Sequence, residues 1–281
     1  MSFHQKKSNK RVKRKASQRK PNKKRLSAQN KLRVAQAHDY EEEEVADEKL
    51  PLWKLCITLL LGTLLVFPCI AITRVILLQI TSNDIVWQLR GNPLAAFFAL
   101  GVAATFFLLL IPPIRSLLLS LYVYGHELTH LVFVYICYGN VSAFKASANG
   151  GYIIANRANI LVSLSPYIFP FWTISLALIY GITNLFVNLN VATPYFFLLF
   201  GASWAFNIFW TAWMIPLGQS DLTSNGTFFS ITLIYLANTL VLSILLEYTK
   251  ISPSIFDWLY TLMNTHSELF HSLLSLLQNW L

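Results

Sequence analysis

Six apolar stretches, at residues 53–76, 94–111, 117–138, 158–182, 194–216 and 228–246, leave this chain few ways to fold. Each has the roughly 18–25 residues that a helix needs to cross the hydrocarbon core of a bilayer. In lipid a backbone must satisfy its own polar groups, which for a single segment means an α-helix. Composition agrees, with 55% hydrophobic and 12% charged residues, a balance too oily for a water-soluble globule. The chain therefore reads as an all-α polytopic membrane protein with about six transmembrane helices.

Punctuation between the stretches supports this division. Asn92-Pro93 opens the second, Pro112-Pro113-Ile114-Arg115 parts the second from the third, and Thr183-Asn184 through Thr193-Pro194 parts the fourth from the fifth. After the third stretch, residues 139–154 carry β-branched and aromatic side chains on either side of Asn149-Gly150-Gly151, the pattern of a short β-hairpin. Its strand edge is either part of an ordinary connector or a place to hold an extended chain. Beyond Pro253, Ile255, Phe256, Leu259, Leu262 and Met263 begin an apolar recurrence at helical spacing that continues to Leu281. This predicts an amphipathic C-terminal helix, lying in the membrane interface or packed on the bundle. His266 and His271 within it are five apart, do not share a face and read as solvated. The organisation expected is a polar tail over 1–50, two accessory spans over 51–116, a core over 117–246 and the C-terminal helix over 247–281.

Charge is unevenly divided along the chain. Residues 1–33 hold fourteen Lys and Arg and no acid, and residues 39–48 hold seven acids, so the net charge of +9 belongs mostly to the tail. Almost no apolar residue precedes Leu26, so the tail cannot bury enough surface to offset its chain entropy, and disorder is expected. Basic residues beside a first span stay on the cytoplasmic side, and an even number of crossings puts both termini there. A polybasic run of this kind also binds anionic lipid headgroups. The lack of aromatic residues within it argues against a nucleic-acid partner. Cys56, Cys69 and Cys137 lie in apolar stretches without metal-ligand spacing and read as small core residues, not as a disulfide framework. The first apolar stretch follows fifty mostly polar residues and has spanning length, so it reads as a span and not as a secretory signal.

Within the third stretch stands His126-Glu127-Leu128-Thr129-His130. Histidines four apart on a helix share one face and can grip a single zinc ion, leaving the intervening glutamate to work on a water. At the residue frequencies of this chain the spacing arises by chance in roughly one comparable chain in a few hundred. A charged group at bilayer depth costs about 2.5 kcal/mol or more unless it is partnered or hydrated. The plain alternative is a polar patch that pins neighbouring helices by hydrogen bonds. A zinc site with an open position for water needs a third protein ligand. Beyond residue 50 the other acids are Asp84, Asp221, Glu247, Asp257 and Glu268. Asp221 alone lies in a turn between two downstream apolar spans, with Pro216 and Gly218 just before it. The histidine pair falls near the centre of its stretch and Asp221 follows its own, so they meet only if residues 216–221 fold back into the bundle.

Gly125 through His130 in a membrane helix, Gly139-Asn140-Val141 at a strand start, Ser165-Pro166 in the next span and Ile215-Pro216 shortly before Asp221 together resemble the site-2 proteases, a family of intramembrane zinc metalloproteases. The likeness covers about residues 117–245. It implies zinc held by His126, His130 and Asp221, with Glu127 as the general base that activates water for cleavage of a membrane-anchored protein substrate. Leu222 stands where the family usually has glycine after the aspartate, Trp213 where an asparagine commonly precedes the Ile-Pro pair, and Thr129 where a small glycine is frequent. Asn225-Gly226, a little further on, is a candidate replacement for the lost glycine turn. Asn207 on the fifth stretch is a candidate substrate-binding amide or else an interhelical hydrogen bond. Two other readings stand beside this one. The first is a catalytically inactive membrane scaffold related to the family. The second is a membrane metallopeptidase like the prenyl-protein endopeptidases, with Glu247 or Glu268 as the third ligand.

Overall fold

The computed structural model of the chain describes residues 50–81, 93–147, 150–250 and 253–280. The basic and acidic tail read as disordered, and Asn149 of the hairpin turn, lie outside the described residues. In chain order the elements are α1 (Leu52–Thr81), α2 (Pro93–Leu109), α3 (Pro112–Ile136), strands β1 (Val141–Ser147) and β2 (Gly150–Ala155), α4 (Ile160–Ile168), α5 (Phe171–Phe186), α6 (Thr193–Met214), α7 (Ser220–Thr223), α8 (Thr227–Tyr248) and α9 (Ile255–Trp280). The protein is thus an all-α polytopic membrane protein with a small antiparallel hairpin after the third long helix. Leu60, Leu64, Phe107, Leu110 and Leu178 stay more than half exposed, an outer surface suited to lipid and not to water.

Among the described residues, four helices are long and apolar enough to cross a membrane: α1, α3, α8, and α6 together with the turn that follows it. The stretch at 158–182, expected as one span, is instead α4 and α5, bent by 72°. Its prolines explain the break. Pro170 has no N–H to give the carbonyl of Pro166, and Pro166 has none for the carbonyl of Val162, so two ladder bonds are missing in succession. The chain restarts as α5 with Pro170 at its N-cap. The stretch at 94–111 becomes α2, an apolar helix of 17 residues. That is a length of about 26 Å, slightly under the thickness of a hydrocarbon core.

The first two helices, expected as accessories, are built into the bundle. α2 crosses α6 so closely that a Cβ on Gly101 would strike the Leu198 carbonyl and one on Gly201 the Phe98 carbonyl. Small residues permit this backbone contact, and Thr105 Oγ1 adds a hydrogen bond to the Ala202 carbonyl at 3.1 Å. α1 runs beside α8, with Thr73 and Tyr235 hydroxyls 2.8 Å apart. The amphipathic helix α9 packs on the bundle. Its Trp258 Nε1 donates to Ser243 Oγ at 2.8 Å, and Arg74 on α1 pairs with Glu268 at 2.9 Å. His266, though exposed, meets Phe67 edge-on at 4.6 Å.

The hairpin aligns Ala143 with Ile154 and Ser147 with Gly150, with a register irregularity between Val141 and Ala143. It packs against α3, the helix that carries the histidines.

Candidate metal centre

Helical spacing puts His126 and His130 on one face of α3, with their rings 4.9 Å apart. Glu127, one residue round, is buried. What aims His130 is the proline in α4. The Val162 carbonyl, deprived of a helical donor by Pro166, accepts instead from His130 Nδ1 at 2.8 Å and from Ser165 Oγ at 2.8 Å. A carbonyl can only accept, so Nδ1 carries a proton, and in the neutral imidazole Nε2 keeps the lone pair that a metal would use. Thr129 turns its hydroxyl to the Gly125 carbonyl at 2.7 Å, so the buried hydroxyl is satisfied within its own helix.

The segment before Asp221 does fold back. α6 ends in a tight turn over Ile215–Leu217, Gly218 adopts a left-handed φ of 76°, and the chain re-enters as the four-residue helix α7. Leu222 anchors that helix. It is 2% exposed and packs with Leu164, Tyr167, Phe229 and Ile234, so the next residue back, Asp221, turns toward α3. Asn225 Nδ2 clamps the turn by donating to the Asp221 carbonyl at 2.9 Å and to Ser163 Oγ on α4 at 2.6 Å.

The result brings Asp221 Oδ2 to 3.5 Å from His130 Nε2 and 3.9 Å from His126 Nε2. One ligand atom from each of the three residues lies within 4.8 Å of the others. A tetrahedral ion with bonds of about 2.0–2.1 Å holds its ligand atoms about 3.3 Å apart. The two Asp221 separations are near that value and the remaining pair lies within 4.8 Å, so with modest side-chain rotation the residues fit a divalent ion with a fourth position left open.

The site sits toward one end of the bundle. The histidine pair runs from near the middle of α3 toward its C-terminal end: His126 lies about 21 Å of helix rise from the start and about 15 Å from the end, and His130 about 27 and 9 Å. Asp221 lies beside the start of α1, where Lys54 Nζ donates to the Ser224 carbonyl at 2.7 Å and Thr58 closes on Gly226. The hairpin covers Glu127: a Cβ at Gly151 on β2 would overlap that carboxylate side chain. Only glycine lets the strand approach the glutamate so closely.

Other candidates are used elsewhere. Asn207 donates to Asn238 Oδ1 at 3.2 Å, the interhelical bond. Asn238 in turn donates to the Tyr167 carbonyl at 2.7 Å and to the Ile234 carbonyl at 2.9 Å, pinning the end of α4. Nothing in the sequence singles out Asn238 except that it is an amide in an apolar span. Glu247 binds Lys250 and, at 3.2 Å, Gln79, while Glu268 pairs with Arg74, so neither acid joins the histidines. Comparisons of the chain with models of known protein families, with curated proteins and with solved structures find no match.

Proposed function

We propose that the chain is a zinc-dependent intramembrane endopeptidase that cleaves membrane-anchored protein substrates. The observation that carries this reading is the meeting of His126, His130 and Asp221, far apart in sequence, beside the buried Glu127. Two imidazoles and a carboxylate with an open fourth position are the donor set of catalytic zinc. When bound there, zinc supplies Lewis acidity and lowers the pKa of water to about 7. The chain's own part is proton handling and positioning. Glu127 accepts a proton from the attacking water as its oxygen bonds to the scissile carbonyl carbon. It returns that proton to the amine nitrogen as the C–N bond breaks, leaving a new carboxyl and a new amine. The likeness to site-2 proteases supports the same assignment.

A substrate helix hides its carbonyls within its own ladder and must unwind locally to react. The hairpin is two-stranded, so the outer edge of β2 offers unpaired backbone groups on which an unwound segment can form a third strand. Gly151 brings that strand to Glu127, which sets an added chain near the site. If the basic tail holds the start of α1 on the cytoplasmic side, the site faces that side and the tail is free to bind anionic headgroups.

The direct test is Glu127→Gln in purified protein, assayed on single-span membrane peptides. We expect cleavage by the wild type, none by the variant, and equal zinc content in both. Wild-type cleavage rates in the variant contradict the mechanism. One observation favours the inactive-scaffold reading, namely that Asp221 and His130 at 3.5 Å can pair without an ion. A scaffold would hold no stoichiometric zinc.

A further inference from the structure

Among the described residues, five buried side-chain polar atoms have no hydrogen-bond partner in the protein: Tyr122 Oη, His126 Nδ1, Tyr167 Oη, Trp210 Nε1 and Thr211 Oγ1. They are not scattered. The Tyr122 and Tyr167 rings both contact the His126 ring, at 5.7 and 5.0 Å, and Trp210 contacts Tyr122 at 6.1 Å. Each unmade bond in an apolar interior carries a penalty of about 1–3 kcal/mol. Such a penalty concentrated at one place calls for an explanation, and a partner that arrives from outside the fold supplies one.

Tyr167 stands apart within this group. Its ring is completely buried, and its backbone is fixed by the bond from Asn238. The Tyr122 hydroxyl neighbours that of Thr211 and lies in the field of Asp221, whereas the Tyr167 phenol lies in the field of both acids of the site, Asp221 and Glu127. A phenol held rigid beside the histidine pair, with its O–H uncommitted, is a preorganised donor for an oxygen that gains negative charge. We propose that Tyr167 donates a hydrogen bond to the scissile carbonyl oxygen of the substrate as that oxygen becomes an oxyanion. This rests on the peptidase reading above and adds to it the residue that stabilises the reacting oxygen.

The experiment is calorimetric binding of a phosphinic peptide, whose tetrahedral phosphorus oxygens mimic the oxyanion, to zinc-loaded full-length protein in detergent. Removing one such donor weakens transition-state binding by about 10²-fold. Tyr167→Phe is expected to show that loss with unchanged zinc affinity and melting temperature, while Tyr180→Phe, whose hydroxyl pairs with Thr193 at the start of α6, binds as the wild type does. Equal affinity of Tyr167→Phe and wild type overturns the proposal and leaves the peptidase reading standing. Loss of zinc along with the peptide also overturns it, because the phenol would then be orienting a ligand such as Asp221. If zinc-loaded wild type does not bind the phosphinic peptide, both readings fall together. Should the Phe variant fail to fold, 3-fluorotyrosine at 167 keeps the shape and makes the hydroxyl a stronger donor. Tighter binding is then expected, and unchanged binding overturns the proposal.

Discussion

Because Pro166 has no N–H, the Val162 carbonyl is open to His130, and this bond sets the tautomer of the neutral ring and helps hold its direction. Restoring the missing donor should set up a competitor. Pro166→Ala is expected to weaken zinc binding about 10-fold, within the range for lost outer-sphere partners of metal-bound histidines. Chelator competition checks this, and unchanged affinity would show that the carbonyl does not orient the ligand. The neighbouring positions follow the same logic of local accommodation. Thr129 satisfies itself within α3, and Gly151 withholds a side chain so that Glu127 has room. His126 lacks an equivalent bond at Nδ1, so the two histidines differ in how firmly they are held.

α7 is too short to be stable alone, and its geometry is borrowed from what it packs on. Leu222 fills the core that Leu164, Tyr167, Phe229 and Ile234 form, and Ser230 Oγ donates to its carbonyl at 3.1 Å. Leu222→Ala should cost about 2–5 kcal/mol of stability and loosen Asp221 at the same time. A lower melting temperature with weaker zinc binding is expected in detergent; a lower melting temperature with zinc affinity intact would separate the anchor from the site. The same element marks the reach of sequence reasoning. Pro216, Gly218 and Asp221 announced a turn with an acid in it, and the histidine spacing announced a shared face, since both are local chemistry. The break between α4 and α5 had a local signal in Pro166 and Pro170, but hydropathy hid it, since it reports how apolar a stretch is and not which way it runs. The pairings of Asn238 with Tyr167 and of Val162 with His130 were hidden as well, since both depend on contacts between distant elements.

Across the whole molecule, the arrangement resolves a conflict between solvent and site. An outer surface of exposed leucines and phenylalanines suits lipid, while ionisable groups need partners or water. The fold meets both demands by gathering His126, Glu127, His130 and Asp221 inside the bundle, near the end where α1 begins. The α2–α6 and α1–α8 contacts draw the first two helices into the same body, so the helices before residue 112 frame the core and do not merely precede it. The apolar stretches were visible in the sequence as a list of spans. Their partners were not, because lipid-facing and helix-facing residues are equally apolar and only small residues such as Gly101 and Gly201 mark the close crossings. The measurement that bears most directly on the account is the metal content of purified full-length protein beside its Asp221→Ala variant, determined by elemental analysis after exhaustive dialysis. The account requires about one zinc per wild-type chain and a large loss from the variant at equal folding. Wild-type protein without stoichiometric metal, or a variant that keeps all of it, would contradict the claim that these three side chains form a zinc site.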